Sequence, residues 1–368
     1  MRLIISGGGT GGHVYPALAV VPALEQLAAK PEILWVGSRG GLEQGLVERS
    51  GLAFSAISAS GVRGKGPAAG GAGLVRLVKG YAESRRIISR FQPEVLFVTG
   101  GYVSVPVTLA ARRAGVPIII YLPDIEPGLA IKNLARFADR VAVTVPEAQP
   151  FFKPGLTVVT GYPVRAELAA GVTEPVKQQA RQQLGLTNDK PVLFVFGGSR
   201  GANSLNRTVI ENLSAWLAHC QLIHMTGSLD ESWTQAKWAE LPPAQQAGYR
   251  VAAYLHEEMV PALQAADLVV SRAGASTLGE FPALGLPAIL VPYPHAGAHQ
   301  ARNAAYLVRQ GAALSVADAR IGDELSQMVL DLLAKPERLR AMSQASRQLA
   351  RPDAAFRLAQ EIVGVSHG

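Results

Sequence analysis

The sequence has a single cysteine, few aromatic residues and no long apolar run. The lone cysteine, Cys220, excludes an internal disulfide and a cysteine-based metal cluster, and it fits a reducing cytosol. Glycines interrupt the N-terminal apolar run directly after Ser6, so no signal peptide is expected there. No charge-free apolar stretch reaches the roughly 18 residues that a membrane-spanning helix needs. We therefore expect a protein that is either soluble or bound to a membrane only at its surface.

Aliphatic residues are abundant instead. Hydrophobic residues make up 48% of the 368 positions although aromatic residues contribute only 6%, and the mean hydropathy is +0.18. This composition is typical of a globular protein, and the length suits about two domains. Short runs of valine, isoleucine and leucine alternate with helical segments. That alternation predicts an α/β fold with doubly wound parallel sheets.

Basic residues outnumber acidic residues only in the first part of the chain. Residues 1–160 contain 17 Lys and Arg against 10 Asp and Glu, whereas residues 161–368 contain 18 of each. This asymmetry indicates an anionic partner for the first half, such as phospholipid headgroups, a diphosphate or nucleic acid. Residues 60–92 hold seven of the basic residues and one acid, Glu83. This segment is predicted either to lie on an anionic membrane surface or to be a packed helix with a solvated basic face.

Three glycine-rich turns each follow a predicted strand and precede a predicted helix. They are Gly7-Gly8-Gly9-Thr10-Gly11-Gly12, Thr99-Gly100-Gly101-Tyr102 and Gly197-Gly198-Ser199-Arg200-Gly201. Backbone N–H groups in such a turn can hold an anion, although any single turn is equally well explained as a tight connection. No acidic residue ends the strand after the first turn at the spacing of a dinucleotide-binding fingerprint.

The first and third turns open the two halves of the chain in the same way. We therefore predict two Rossmann-like domains facing a cleft, residues 1–162 and residues 163–351, with the last helix (352–368) packing back on the first domain. The second domain contains a further strand–turn–helix unit, Arg272-Ala273-Gly274-Ala275 followed by Glu280. Ser276 and Thr277 can cap this helix, in which case Glu280 is an ordinary first-turn acid. Alternatively, Glu280 accepts hydrogen bonds from a ribose diol beside a diphosphate.

Together these motifs resemble a family of bacterial enzymes, the N-acetylglucosaminyltransferases that make lipid II in peptidoglycan synthesis. The resemblance covers nearly the full length, and six motifs in this order are highly specific. They are Gly8-Gly9-Thr10-Gly11-Gly12-His13, Ser60-Gly61-Val62-Arg63-Gly64-Lys65-Gly66, Gly100-Gly101-Tyr102-Val103-Ser104, Gly197-Gly198-Ser199-Arg200-Gly201-Ala202, Arg272-Ala273-Gly274-Ala275 with Glu280, and His299-Gln300 with Asn303.

The resemblance implies a glycosyltransferase B fold and an inverting transfer from UDP-N-acetylglucosamine to lipid I, the undecaprenyl-diphosphate-linked muramoyl-pentapeptide. It implies no obligatory metal or other cofactor, no nucleic acid partner, and a peripheral position on the cytoplasmic face of the inner membrane. Other cell-wall synthesis proteins are further expected partners.

By motif position the resemblance also implies a set of site residues. His13 is the candidate base, since histidine exchanges a proton near neutral pH. Asp124 is the second candidate, because Tyr121-Leu122-Pro123-Asp124 stands where the family commonly has His-Glu-Gln-Asn. The implied donor-binding residues are Thr10, Gly11, Gly12, Arg165, Ser199, Tyr254, Leu255, Ala275, Ser276, Thr277, Leu278, Gly279, Glu280 and Gln300. The residues implied for the acceptor or the membrane are Arg63, Lys65, Tyr102, Ser104, Arg85 and Arg86.

Two other kinds of protein fit part of the sequence. A diacylglycerol glycosyltransferase or a UDP-sugar epimerase would share the fold, but the loop with Arg63 and Lys65 and the first glycine turn favour a lipid-diphosphate acceptor. A non-catalytic module that binds nucleotide sugars or nucleic acid would account for the isoelectric point of 9.6. Its basic segment, however, lacks the interleaved aromatic residues on which bases stack.

Overall fold

The computed structural model describes residues 1–28, 30–59, 67–198, 201–294 and 299–366. The chain divides into two compact units. The first comprises Met1–Arg165 together with Arg351–Gly368, and the second comprises Ala166–Ala350. Each unit is built around one parallel β-sheet, and the helices between the strands cover the faces of that sheet.

Seven strands pair within the described part of the first unit. They are β1 (Arg2–Gly7), β2 (Glu32–Ser38), β3 (Ala53–Ile57), β4 (Val95–Gly100), β5 (Ile118–Leu122), β6 (Arg140–Val143) and β7 (Thr157–Val159). The helices are α1 (Gly11–Leu27), α2 (Leu42–Arg49), α3 (Pro67–Phe91), α4 (Ser104–Arg113), α5 (Leu129–Leu134) and the C-terminal helix (Ala354–Ser366). Single 3-10 turns lie at Ala135–Phe137 and Pro146–Phe151.

The strand order of the first sheet is β3-β2-β1-β4-β5-β6-β7, with all pairs parallel. The direction of winding reverses between β1 and β4, which is the switch point where sheets of this kind bind ligands. Side chains alternate between two buried layers: Ile4 and Leu96 lie in one, and Leu3 and Phe97 in the other. Burial of both faces explains why these strands read as continuous apolar runs. Leu358 of the C-terminal helix completes the second layer.

Six strands pair within the described part of the second unit. They are β8 (Val192–Phe196), β9 (Gln221–Met225), β10 (Tyr249–Ala252), β11 (Leu268–Ser271), β12 (Ala288–Leu290) and β13 (Ala313–Ser315). The helices are α6 (Ala166–Ala169), α7 (Glu174–Gln183), α8 (Asn203–His219), α9 (Glu231–Ala239), α10 (Pro243–Ala247), α11 (Met259–Ala265), α12 (Glu280–Leu284), α13 (His299–Arg309), α14 (Ile321–Leu333) and α15 (Pro336–Gln348). Single 3-10 turns lie at His256–Glu258, Ala275–Leu278 and Asp318–Arg320. The order β10-β9-β8-β11-β12-β13 is again parallel and places the switch point between β8 and β11.

Three elements differ from what the sequence suggests. The apolar and basic pattern of the sequence predicts a helix from Leu74 to Phe91, but α3 begins at Pro67, because proline is well suited to the first position of a helix. The sequence predicts a strand over Val251–Tyr254, but β10 ends at Ala252, since its pairing with β9 stops there opposite Met225. Strand β13 is not apparent in the sequence, because Ala313-Leu314-Ser315 is too short to show an alternating pattern.

Candidate active site

The first and second glycine turns follow β1 and β4, the strands at the switch point of the first sheet, and they lie against each other. The Gly8 N–H donates to the Gly100 carbonyl at 3.3 Å. Gly101 has a φ of +85°, and a Cβ there would overlap the Gly8 carbonyl oxygen. Only glycine therefore permits this approach of the two backbones. The result is a glycine-lined surface at the carboxyl ends of the two strands.

His13 lies beside this surface in the first turn of α1. Its Nδ1 is 3.0 Å from the Gly8 carbonyl oxygen and 3.4 Å from Thr10 Oγ1. Because a carbonyl oxygen can only accept, Nδ1 is the donor in that hydrogen bond, and Nε2 of the neutral ring holds the lone pair. The Nε2 edge packs on Gly100, where an added Cβ would lie 3.1 Å from Nε2. The ring is thus arranged to accept a proton at Nε2.

The start of α1 provides free backbone donors next to His13. The first hydrogen bond of this region runs from His13 N–H to the Thr10 carbonyl at 3.2 Å, so the N–H groups of Gly11 and Gly12 precede the bonds of the helix. The Thr10 side chain does not cap the helix. The positive end of a 17-residue helix favours a phosphate group at this point. A diphosphate contact with Thr10, Gly11 and Gly12 stays a prediction that this geometry permits.

Arg165 lies close to the same helix start. Its guanidinium carbon is 5.4 Å from the centroid of the Tyr15 ring, over which it stacks. The Tyr15 ring in turn borders Gly11, since a Cβ added there would lie 3.0 Å from it. The first unit therefore brings Arg165 near Gly11, which the resemblance also assigns to donor binding.

Asp124 lies just beyond β5 and is half-buried. Tyr121 and Leu122 are residues of β5 with buried side chains, and the Tyr121 hydroxyl bonds with Thr144 Oγ1 at 2.9 Å and with the Gly161 carbonyl at 3.2 Å. Within Tyr121-Leu122-Pro123-Asp124, only Asp124 is partly exposed. It is the member of this tetrapeptide that a substrate could touch.

The two residues predicted to contact the acceptor from the second turn differ in exposure. Tyr102 is 49% exposed. Ser104 is fully buried, and its hydroxyl lies 2.8 Å from the Gly100 carbonyl and 3.1 Å from the Ser6 carbonyl. A direct contact with substrate would need this buried hydroxyl to leave both carbonyls. We interpret Ser104 as a residue that holds the two glycine turns together.

Sequence reasoning missed a buried acid beneath the first turn. Glu43 is fully buried, and its Oε2 accepts the Gly9 N–H at 3.1 Å. Its Oε1 accepts the Ser38 N–H at 2.8 Å and also the Ser38 hydroxyl. In the sequence Glu43 reads as an ordinary acid in the first turn of α2, a place where acids are common. Nothing in the sequence distinguishes it from a solvated acid.

The third glycine turn follows β8 at the switch point of the second sheet. Ser199 and Arg200 lie outside the described residues, so the predicted donor contact of Ser199 stays untested. Gly201 has a φ of +76°, and a Cβ there would overlap the Thr226 carbonyl oxygen. Helix α8 begins directly after this turn. Its first turns are fixed by Asp230, whose carboxylate accepts from Asn203 at 2.7 Å and from Asn206 at 2.8 Å.

Asp230 belongs to a buried polar network behind this turn. Its carboxylate also accepts the Trp233 Nε1–H at 2.9 Å. Since the Asn206 amide nitrogen donates to Asp230, its Oδ1 is the acceptor for His224 Nε2–H at 3.0 Å, and the Tyr249 hydroxyl then donates to Nδ1 at 2.9 Å. Burial lowers the pKa of His224 to about 3, against the opposing charge of Asp230. The imidazole is therefore neutral and structural.

The turn after β11 carries the Ala275–Leu278 3-10 helix and then α12. The Thr277 N–H and hydroxyl both donate to the Gly274 carbonyl, at 3.0 and 2.7 Å. No side chain caps α12, so the expectation that Ser276 or Thr277 caps this helix is wrong. The first backbone hydrogen bond of this turn is donated by Thr277. The N–H groups of Ala275 and Ser276 precede it and can therefore donate to a diphosphate. Leu278 and Gly279 are buried, and Glu280, 8% exposed, is the first residue of α12.

Other motif residues hold the second unit's turns in place. Arg272 forms an ion pair with Asp318 at 2.5 Å and donates to Ser204 Oγ at 3.1 Å, so its charge is already balanced. Asn303 is fully buried and donates to the Ala273 carbonyl at 3.1 Å. The Gln300 side-chain oxygen accepts the Tyr293 N–H at 2.8 Å. Asn303 thus joins α13 to the turn after β11, and Gln300 joins α13 to Tyr293 in the loop before it.

Tyr254 and Leu255, the predicted uracil contacts, lie just past β10. Tyr254 is 38% exposed, and its ring meets the His256 ring edge-on with the centroids 4.7 Å apart. Leu255 is only 2% exposed. The Tyr254 ring can therefore stack on a base, whereas the Leu255 side chain is occupied in the core of the unit.

The predicted membrane-facing residues lie partly outside the described residues, since Arg63 and Lys65 belong to residues 60–66. Arg85 and Arg86 are exposed on α3. Two apolar residues of the same helix, Val75 and Val78, lie three positions apart and are 68% and 61% exposed. Apolar and basic side chains thus share an exposed face of α3, and a membrane role of this face stays a prediction.

The described residues contain no group of three or more His, Cys, Asp or Glu side chains placed to hold a metal ion. Within the same part of the chain, no helix combines the length and apolar character needed to cross a bilayer.

Comparisons with known proteins agree along almost the whole chain. Residues 3–143 match the glycosyltransferase family 28 N-terminal domain, and residues 192–358 match the family 28 C-terminal domain. A protein of Roseiflexus sp. (strain RS-1) is 41% identical over 98% of this chain and 94% of its own, and one of Desulforudis audaxviator is 42% identical over 96% and 95%. Both are named UDP-N-acetylglucosamine–N-acetylmuramyl-(pentapeptide) pyrophosphoryl-undecaprenol N-acetylglucosamine transferase. The crystal structure of Acinetobacter baumannii MurG is similar with a TM-score of 0.74 and 27% identity, over 99% of both chains.

Proposed function

Because the chain belongs to glycosyltransferase family 28, among the transferases that carry N-acetylglucosamine to N-acetylmuramyl-(pentapeptide) pyrophosphoryl-undecaprenol, we propose that it catalyses this transfer. The donor is UDP-N-acetylglucosamine, and the acceptor is the 4-hydroxyl of the muramoyl sugar of lipid I, so that the product is lipid II. One observation carries the proposal beyond family membership. The glycine turns after β1, β4 and β8 and the turn after β11 all lie at the switch points of their sheets, where parallel sheets bind ligands.

The reaction is an inverting displacement at the anomeric carbon of the donor sugar. The acceptor oxygen forms a bond to that carbon while the bond to the UDP oxygen breaks, and the proton of the acceptor hydroxyl must be removed. We assign this proton to His13 Nε2, because Nδ1 already donates to the Gly8 carbonyl at 3.0 Å. Asp124 is the second candidate, since it is half-buried at the end of β5 in the same unit.

The departing UDP carries the negative charge that develops in the transition state. Backbone N–H groups aimed at such a charge stabilise it without reorganisation. In the second unit the N–H groups of Ala275 and Ser276 can fill this role, with Glu280 accepting from the ribose and Tyr254 against the base. In the first unit, Gly11 and Gly12 offer N–H groups for a diphosphate. These donors support a mechanism in which no divalent metal is obligatory.

We further propose that α3 rests on an anionic membrane surface, where the lipid acceptor resides. The support is the exposed face of this helix, which carries Val75 and Val78 together with Arg85 and Arg86. Binding to a membrane surface uses apolar side chains that enter the headgroup region and basic side chains that contact anionic lipids. We therefore propose a peripheral position for the protein, on the cytoplasmic face of the membrane.

The experiment that tests the proposed function is a transfer assay with UDP-N-acetylglucosamine and a short-chain lipid I analogue, with and without a chelator. We expect the disaccharide product and UDP in both cases. A UDP-sugar epimerase would instead convert the donor when no acceptor is present, and a diacylglycerol glycosyltransferase would use diacylglycerol. His13→Ala should lower kcat by about a hundredfold or more while the dissociation constant for UDP stays within about twofold. An unchanged kcat would remove His13 from the role of base.

A further inference from the structure

We propose that Glu43 is a positioning residue for His13 and acts on it through the peptide group between Gly8 and Gly9. The proposal rests on the proposed function, in which His13 is the base. Glu43 Oε2 accepts the N–H of this peptide, the Gly9 N–H, at 3.1 Å. The carbonyl of the same peptide, that of Gly8, faces His13 Nδ1 at 3.0 Å. A carboxylate and a histidine are thus joined by one peptide unit.

The first consequence concerns the tautomer of His13. A hydrogen bond accepted from the N–H of a peptide polarises that peptide and strengthens its carbonyl as an acceptor. The carboxylate therefore favours a proton on Nδ1, which donates to the Gly8 carbonyl, and leaves the lone pair on Nε2. The second contact of Nδ1, Thr10 Oγ1 at 3.4 Å, can donate or accept and so does not select a tautomer by itself.

The second consequence concerns charge. When Nε2 takes the proton of the acceptor, the ring becomes an imidazolium, and a buried negative charge nearby stabilises that form. Glu43 is fully buried, so solvent screens its charge little. A carboxylate plays the same two roles in a Ser-His-Asp triad, where it touches the imidazole directly. Here the contact passes through a backbone peptide.

The surroundings of Glu43 are built to keep the carboxylate in this position. Its other oxygen is held by the Ser38 N–H at 2.8 Å and by the Ser38 hydroxyl. Gly8 and Gly41 pack directly on the carboxylate, because a Cβ added at either position would collide with it. The acid therefore has one arrangement, in which Oε2 meets the Gly9 N–H.

The test compares Glu43→Gln with Glu48→Gln, the same change on the same helix at an exposed position. In Glu43→Gln the side chain loses its charge. Its NH₂ group then faces the N–H of either Gly9 or Ser38, so that two donors meet. We expect kcat to fall about tenfold or more, as for loss of a hydrogen bond to a charged group, and donor KM and UDP binding to change much less than kcat. The acidic limb of the kcat/KM profile should move to lower pH, because the imidazolium loses a neighbouring negative charge. Glu48→Gln should change none of these.

Nitrogen NMR of ring-labelled histidine gives a readout that needs no substrate. The His13 resonance is assigned by its loss in His13→Gln. The neutral ring of the wild-type protein should carry its proton on Nδ1, and Glu43→Gln should raise the Nε2–H fraction. A wild-type ring protonated on Nε2 overturns the proposal even if Glu43→Gln does not fold, and so does a folded Glu43→Gln variant with unchanged tautomer, kcat and pH profile. If the wild-type protein makes no lipid II but shows the expected tautomers, the proposed function fails and the positioning of His13 by Glu43 stands.

Discussion

The buried imidazole of His224 predicts a specific dependence of stability on pH. Its pKa is lowered to about 3 in the folded protein by burial, whereas an exposed histidine in the unfolded chain titrates near 6.5. Between these two values the unfolded chain binds one more proton than the folded one. The free energy of unfolding contributed by His224 is therefore fully present above about pH 6.5 and is lost progressively as the pH falls.

The size of the effect follows from the two pKa values. Each pH unit below about 6.5 costs about 1.4 kcal/mol, so the loss at pH 4.5 is about 3 kcal/mol relative to neutral pH. Other groups also titrate between pH 4.5 and pH 7. The contribution of His224 is therefore measured as the difference in free energy of unfolding between the wild-type protein and a variant without this histidine. In His224→Gln the buried amide cannot take up a proton. At pH 7 this variant should be less stable by about 1–3 kcal/mol, because hydrogen bonds to Asn206 and Tyr249 are disturbed. Between pH 7 and pH 4.5 the stability of the wild-type protein relative to this variant should fall by about 3 kcal/mol, which closes or reverses the gap.

Urea unfolding followed by tryptophan fluorescence measures this gap in the relevant unit. Three of the four tryptophans, Trp216, Trp233 and Trp238, belong to the second unit, so the signal follows its unfolding. His219→Gln is the matched control, because His219 is exposed in the last turn of α8. Its stability difference from wild type should show no comparable narrowing. A gap between wild type and His224→Gln that stays constant from pH 7 to pH 4.5 would refute the assignment of a neutral, buried His224.

Two further predictions concern the ligand-binding surfaces. Glu280→Ala should weaken UDP binding by about tenfold or more, because the ribose hydroxyls lose a charged hydrogen-bond acceptor. Calorimetry measures this dissociation constant, and an unchanged value would contradict a contact between Glu280 and the ribose. Reversing charge at both Arg85 and Arg86 should reduce binding to vesicles with phosphatidylserine by about tenfold or more, since each basic group near the surface contributes about 1 kcal/mol. The same double reversal at Arg112 and Arg113, which are exposed on α4, is the control, and equal losses in both variants would contradict a membrane site on α3.

The sequence predicts the two-sheet α/β fold because its signals are local. A buried strand, a glycine turn and a helix start occupy neighbouring positions, as in β1, Gly7-Gly8-Gly9 and α1. The family and its proposed activity follow from six short motifs, four of which are turns of this kind. The partners of the turns are not local. Glu43 is 34 residues from Gly9 and Asp230 is 27 from Asn203, so no spacing rule connects either pair.

The sequence also does not predict which side chains of a motif are exposed to solvent. Ser104 and Tyr102 lie in one motif, yet the first is fully buried and the second is half exposed. The difference arises because Ser104 is the first residue of α4 and its hydroxyl reaches the backbone of β1 across the sheet, at the Ser6 carbonyl. A motif therefore identifies residues that belong to a site without separating those that touch the ligand from those that shape it.

Both units place a buried carboxylate next to a glycine turn, where it holds the turn or the helix that follows it. A turn rich in glycine can present its N–H groups closely to a phosphate, but it loses more conformational entropy on ordering than any other backbone. A site that stabilises developing charge must nevertheless be ordered before the reaction begins. In the first unit the buried carboxylate of Glu43 holds the turn directly, through the Gly9 N–H. In the second unit Asp230 holds the helix that follows the turn, through Asn203 and Asn206. A buried carboxylate needs hydrogen-bond donors, and the Gly9 N–H in the first unit and the two asparagine side chains in the second supply them.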